Sequence, residues 1–297
     1  MNWIKKTTLI GAIVLISGAF IYATSTETKN KITREGTSQF FPIAIDFAGE
    51  PAPLQMNDVR ERLDRELLIN ANLDATTLLI IKRANRVFPI IEPILKMYNV
   101  PDDFKYLAVI ESGLVNAVSP AGARGVWQFM PLTAKEKGME VNDMVDERYH
   151  LEKSTEAACK YLLEAKAKFG NWTLAAASYN GGMTGVNKQI EMQQVSTCYD
   201  LLLNDETSRY VFRILALKEI MKNPDKFGFN VNLDEMYVNL PSKVITVDTT
   251  ISDLATFAKA QGINYKILKI HNPWLRDKKL LNQSRKKYDI VIPLSGY

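Results

Sequence analysis

From Leu54 onward the apolar positions follow a helical period. Val59, Leu63 and Leu67 fall four residues apart, the spacing of one helix face. A second helix carries Leu78, Ile81 and Val87 behind Asp74 as its cap. Pro89 and Pro93 are expected to end or kink it, because proline has no N–H to donate and its ring crowds the preceding turn. Pro101 opens a third helix, with Asp102 and Asp103 suited to the positive end of its dipole; Phe104, Leu107 and Ile110 continue it and Gly113 stops it. Further helices are predicted from about Ser154 to Phe169, stopped by Gly170, and from Trp172 to about Tyr179, stopped by Gly181 and Gly182. Another runs from about Glu206 to Lys222, before Pro224. Strand-like alternation is almost absent between Leu54 and Lys222, so roughly 170 residues read as one mostly helical domain.

Beyond Pro224 the pattern changes. Val244, Ile245 and Val247 predict a short strand, Ser252 to Ala260 and Tyr265 to Ile270 two helices, and Tyr288 to Ile292 a second strand. The fold class is therefore mainly α, with a small α+β unit of strand–helix–helix–strand order at the C-terminus. The expected boundaries are 54–228 for the helical domain and 244–297 for the C-terminal unit. Polar, proline-containing segments at 25–53 and 229–243 read as linkers. At the N-terminus, Lys5 and Lys6 precede an apolar run from Leu9 to Ala23. A secretory signal and an uncleaved anchor within residues 1–24 both fit that pattern, and both imply export to the periplasm or cell envelope.

Composition narrows the function classes. A hydrophobic content of 46% and a charged content of 24% exclude whole-chain disorder. The net charge of +4 is spread along the chain, with no basic run that would point to nucleic acid. Cys159 and Cys198 fit either a disulfide or two small buried thiols, with the thiols favoured. No cysteine lies near the N-terminal segment to take a lipid. His150 and His271 stand far apart without Cys or His neighbours at ligand spacing, so neither metal nor cofactor is expected.

The chemistry concentrates around Glu111. It follows four apolar residues, Leu107 to Ile110, and sits at the C-terminal end of its helix, where the dipole is negative. Both circumstances disfavour the carboxylate and raise the pKa, as a proton donor working near neutrality requires. Ser112 and Gly113 follow directly. The stretch from Ser119 to Pro131 then supplies Gly122 and Gly125 for backbone turns, Trp127 as a flat face and Gln128 as a two-way amide, groups suited to gripping a sugar. Later, Ser178-Tyr179-Asn180-Gly181-Gly182 brings a phenol and an amide to a helix end.

Glu-Ser-Gly, then Gly-Ala-x-Gly-x-Trp-Gln-Phe-Met-Pro, then Tyr-Asn-Gly resembles the motif order of the lytic transglycosylase (SLT) domain. That domain belongs to the goose-type lysozyme superfamily, and the resemblance is greatest to its membrane-bound D type. Asp146-Glu147-Arg148-Tyr149, Glu206-Thr207 and Tyr210-Val211 support it, over about Leu54 to Phe227. The resemblance implies a lysozyme-like fold, peptidoglycan glycan strands as substrate and a monomer. It makes Glu111 the sole catalytic acid and base, with Ser112 orienting substrate or carboxyl. Gln128 lines the sugar subsites, Tyr179 and Asn180 face the cleft, and Tyr210 closes it. It further implies cleavage between N-acetylmuramic acid and N-acetylglucosamine without water, closing a 1,6-anhydro ring. Ser178 and His150 depart from the family pattern, which has alanine and aspartate there.

The C-terminal unit resembles a LysM carbohydrate-binding module through Thr250-Ile251, Leu254-Ala255, Asn272-Pro273 and Tyr288 to Pro293. Asp248-Thr249 and Lys286-Lys287 depart from its pattern. Two other readings stay open: a hydrolytic muramidase on the same fold, and a non-catalytic wall-binding protein.

Overall fold

A computed structural model describes residues 40–297, so the expected N-terminal signal or anchor lies outside the described residues. Helix α1 (Asn57–Asn72) buries Val59, Leu63 and Leu67, the face its period predicted, against α8 (Asp205–Lys222). Helix α2 (Asp74–Met97) does not end at Pro89 or Pro93, for it runs through both. Prolines four apart share one side of the helix, and that side faces solvent. The carbonyls they orphan, those of Asn85 and Pro89, belong to exposed residues that water can serve. The opposite face, from Ile80 through Val87 to Leu95, is buried and holds the helix in place.

The third helix comes where expected. A 3-10 turn at Asp102–Phe104 leads into α3 (Lys105–Ser112), and Gly113 ends it in the left-handed conformation, φ 59°. Helices α4 (Pro131–Glu136), α5 (Leu151–Phe169), α6 (Trp172–Gly181) and α7 (Met183–Gln193) complete the body with α8. Asn171 and Asn204 cap α6 and α8 by accepting from the Leu174 and Thr207 N–H groups. Helix α7 escaped the periodicity because it buries little: Val186 is its one buried residue.

Three segments correct the sequence reading. Residues 41–53 are not a loose linker. Strands β1 (Asp46–Phe47) and β2 (Glu50–Pro51) form a small hairpin whose Phe47 is buried edge-on against Phe104, ring centroids 4.9 Å apart. Charge fixes the rest of it. The Lys218 ammonium donates to the Asp46 carbonyl (2.6 Å) and to Asp103 (2.6 Å), and Glu50 accepts from the first N–H groups of α6, Trp172 (2.6 Å) and Thr173 (2.9 Å). Polar residues that look like a solvated linker are thus bound to partners more than a hundred positions away. Residues 229–243 likewise lie along α2: Tyr237 N–H donates to the Lys82 carbonyl, and Asn239 to that of Arg86. Finally, β3 (Ala117–Val118) and β4 (Arg124–Gly125) make an antiparallel hairpin within the body, too short to show as alternation.

At the C-terminus β5 (Ser242–Val247) pairs antiparallel with β6 (Tyr288–Pro293), Val247 opposite Tyr288. Helices α9 (Leu254–Ala260) and α10 (Tyr265–His271) lie between them, the βααβ order read from sequence. The core of this unit takes in Val145 and Tyr149 from the body, packed with Leu254, Leu268, Trp274, Leu275 and Ile290. Cys159 and Cys198 are buried and unpaired. Among the described residues no helix is long and apolar enough to cross a membrane, and no group of His, Cys, Asp or Glu side chains is placed to hold a metal ion.

Candidate active site

Helix α3 presents Glu111 from its penultimate position, half-buried, to α8. There Tyr210 donates its hydroxyl to Glu111 Oε1 in a short hydrogen bond. Arg213, one turn further along α8, donates to the Ile110 carbonyl (3.2 Å), and Arg83 of α2 donates to the Gly113 carbonyl (3.1 Å). Two guanidinium groups therefore cap the α3 C-terminus, and they offset the negative dipole end that the sequence reading invoked. Burial is what raises the Glu111 carboxyl, to about 7. The Tyr210 hydrogen bond and the charge of Arg213 pull it down, while the charge of Glu206 adds to the rise.

Tyr179 and Asn180 close the end of α6 over the same region. The Tyr179 ring is wedged among Tyr161, Phe129 and Trp127, and its hydroxyl donates to the Trp127 carbonyl (2.9 Å). Burial holds that phenol well above its ordinary pKa, with the nearby Glu111 charge adding to the rise. Asn180 bridges to α8, donating to Glu206 Oε1 (3.1 Å) and accepting from the Thr207 hydroxyl (2.7 Å). Glu206, matched in sequence only as part of a supporting motif, thus brings a second carboxylate into the electrostatic range of Glu111.

Ser112 and Gln128 sit beside this group with hydrogen bonds directed into the scaffold. The Ser112 hydroxyl lies within bonding distance of the carbonyls of Ala108 (3.2 Å) and Val126 (2.8 Å) and accepts from the Leu114 N–H (3.2 Å), which ties the end of α3 to the β3–β4 hairpin. The Gln128 amide donates to the carbonyls of Ala117 (3.1 Å) and Gly125 (2.7 Å) and pins that hairpin. Trp127 corrects the sequence reading outright. Its ring is fully buried and its indole N–H donates to Thr155 (2.8 Å), so it offers no face to a sugar. Gly125 has a specific reason to be glycine: its φ is +85°, and a Cβ there would lie 1.8 Å from the Arg148 carbonyl oxygen.

The arrangement is a protonatable, half-buried carboxyl among phenols, with a basic group and a second carboxylate at its edge. Residues 88–199 match the family described as the transglycosylase SLT domain, and residues 243–296 match the soluble lytic transglycosylase C-terminal LysM-like domain. The chain therefore carries a lysozyme-like SLT domain followed by a LysM-like module. It is 31% identical over 188 residues to the membrane-bound lytic murein transglycosylase D of Escherichia coli (strain K12), a match that covers 60% of this chain and 40% of that protein. The protein of the same name from Escherichia coli O6:H1 matches equally. The match thus spans less than half the length of these relatives.

Proposed function

We propose that this protein is a peptidoglycan lytic transglycosylase in which Glu111 serves as both acid and base. The observation that carries the reading is the Glu111 carboxyl, raised by burial to about 7 and held by the Tyr210 hydroxyl, in a chain whose SLT and LysM-like segments stand in this order. At neutral pH such a group is divided between its two forms, so one residue can give a proton and take one back.

The chemistry follows in two steps. Glu111 protonates the glycosidic oxygen between N-acetylmuramic acid and N-acetylglucosamine, and the bond from that oxygen to the muramic C1 breaks. The muramic acetamido group stabilises the cation at C1, as in substrate-assisted glycosidases. Glu111, now a carboxylate kept in place by Tyr210, removes the proton from the C6 hydroxyl as that oxygen bonds to C1. The products are a chain ending in 1,6-anhydromuramic acid and one beginning with a free 4-hydroxyl; no water is consumed. Mass analysis of digested peptidoglycan tests this, because the anhydro end is one water lighter than a hydrolysed end.

Glu206 favours a second reading, hydrolysis by two carboxylates, since its charge acts on Glu111 and Asn180 holds its side chain. A free reducing end in the same experiment would establish that reading. Export to the cell envelope fits the basic-then-apolar start of the chain and the membrane-bound designation of the relatives.

A further inference from the structure

We infer that the LysM-like module braces the hairpin beside Glu111, with Arg148 as the positioning residue through which it acts; the inference rests on the lytic reading above. The module grips the body through residues 140–150. Asp146 N–H donates to the Trp274 carbonyl (2.9 Å), Arg276 N–H donates to the Met144 carbonyl (2.7 Å), and Val145 bridges Leu275. Val145 and Tyr149 sit in the module's core, and Trp274 stacks between His150 and Tyr288, with centroids 5.8 and 5.7 Å away. Polar contacts add to the grip: Lys286 reaches Glu140 (2.5 Å) and Glu147 (3.3 Å), and the Tyr288 hydroxyl reaches Glu140 (3.0 Å).

The other side of this segment holds the hairpin. Arg148 and Asp146 form an ion pair whose members are 3% and 2% exposed, with Arg148 Nε and Nη2 on the carboxylate at 2.8 and 2.7 Å. The remaining arm of the planar guanidinium, Nη1, donates to the carbonyls of Gly122 (3.1 Å) and Phe129 (3.2 Å). Between those two carbonyls lie Val126, whose carbonyl meets the Ser112 hydroxyl, and Trp127, whose carbonyl meets Tyr179. Gly125 rests directly against the Arg148 backbone. A shift of Arg148 therefore passes to Ser112, next to Glu111 in the chain, and to Tyr179, whose phenol lies in its electrostatic range. Without the module, the Asp146 N–H and the Met144 carbonyl lose their partners, and the ion pair loses its seat.

The test compares Arg148→Met, which cuts the path at its centre, and Trp274→Leu, which loosens it from the module side and leaves the buried pair intact. The full chain is assayed on purified peptidoglycan across pH, with active protein normalised by circular dichroism. In both variants kcat/KM at pH 7 is expected to fall at least tenfold, and the high-pH limb is expected to move at least one unit down as the half-buried Glu111 becomes better hydrated. Loss of folded protein alone lowers the amplitude and leaves the limb in place, and an unmoved limb overturns the brace. If Arg148→Met does not fold, Trp274→Leu decides. A carbon-13 NMR titration of the Glu111 carboxyl, identified by its absence in Glu111→Gln, needs no turnover. A lower Glu111 pKa in Trp274→Leu supports the brace even if wild type yields no anhydro product, a result that would count against the lytic reading alone; an unchanged pKa overturns the brace.

Discussion

The Tyr210 hydroxyl and the Glu111 carboxylate, 99 positions apart in the chain, meet in one short hydrogen bond between α8 and α3. The bond stabilises the ionised carboxylate, so removing it favours the protonated form. Tyr210→Phe should raise the Glu111 pKa above about 7. A charge-assisted hydrogen bond of ~1.5 kcal/mol corresponds to a rise of roughly one unit. The pH profile of kcat/KM checks this: its high-pH limb moves to higher pH while the maximal rate falls. A limb that moves down would show that Tyr210 does not hold the carboxylate form.

Glu111→Gln removes the proposed acid and keeps its shape. Turnover on peptidoglycan should drop by at least the ~100-fold to 10,000-fold that a positioned general acid contributes. Stability should change in the opposite direction. The folded-state pKa of Glu111, about 7, lies above its ordinary value of 4.5, so the folded protein holds this proton more tightly than the unfolded chain. The group's penalty on folding is therefore absent below pH 4.5, grows as pH rises toward 7 and is complete above it. Urea titrations should show the glutamine variant more stable than wild type by up to about 3 kcal/mol at pH 8, and equal to it at pH 4.

Gly125 admits no side chain. Gly125→Ala forces a Cβ onto the Arg148 carbonyl oxygen at a positive φ, so backbone must move. A loss on the order of 3 kcal/mol or more is expected, with the urea midpoint as readout. A variant of unchanged midpoint would mean that the hairpin is not held against residues 146–149.

Burial pushes the thiols of Cys159 and Cys198 up to about 12. Both should therefore resist a maleimide at pH 8 in the native protein and react fully in denaturant. A native protein without two reactive thiols after unfolding under non-reducing conditions would reveal a disulfide.

Much of this architecture was legible in the chain because it rests on local signals. The glycine stops at Gly113 and Gly170 fall at the ends of α3 and α5, and Val59, Leu63 and Leu67 line the buried face of α1. The raised pKa of Glu111 was also legible, though for one of the two reasons given. Burial accounts for it, while Arg83 and Arg213, which offset the dipole, come from helices whose approach no local pattern reveals. The same limit explains the reading of Trp127 as a sugar platform, since burial of an aromatic is decided by what packs on it, here α5 through Thr155. Residues 41–53 looked like a tether because their fixed points, Lys218 and the start of α6, are remote in sequence.

Val145 and Tyr149 lie inside the C-terminal unit although the chain visits them about a hundred positions before that unit begins. A graft that moved residues 243–297 alone to another carrier would leave behind part of the interior it needs and bring Leu275 and Trp274 to the surface. Shuffling at this junction is therefore costly, and the portable piece is the continuous stretch that carries both halves.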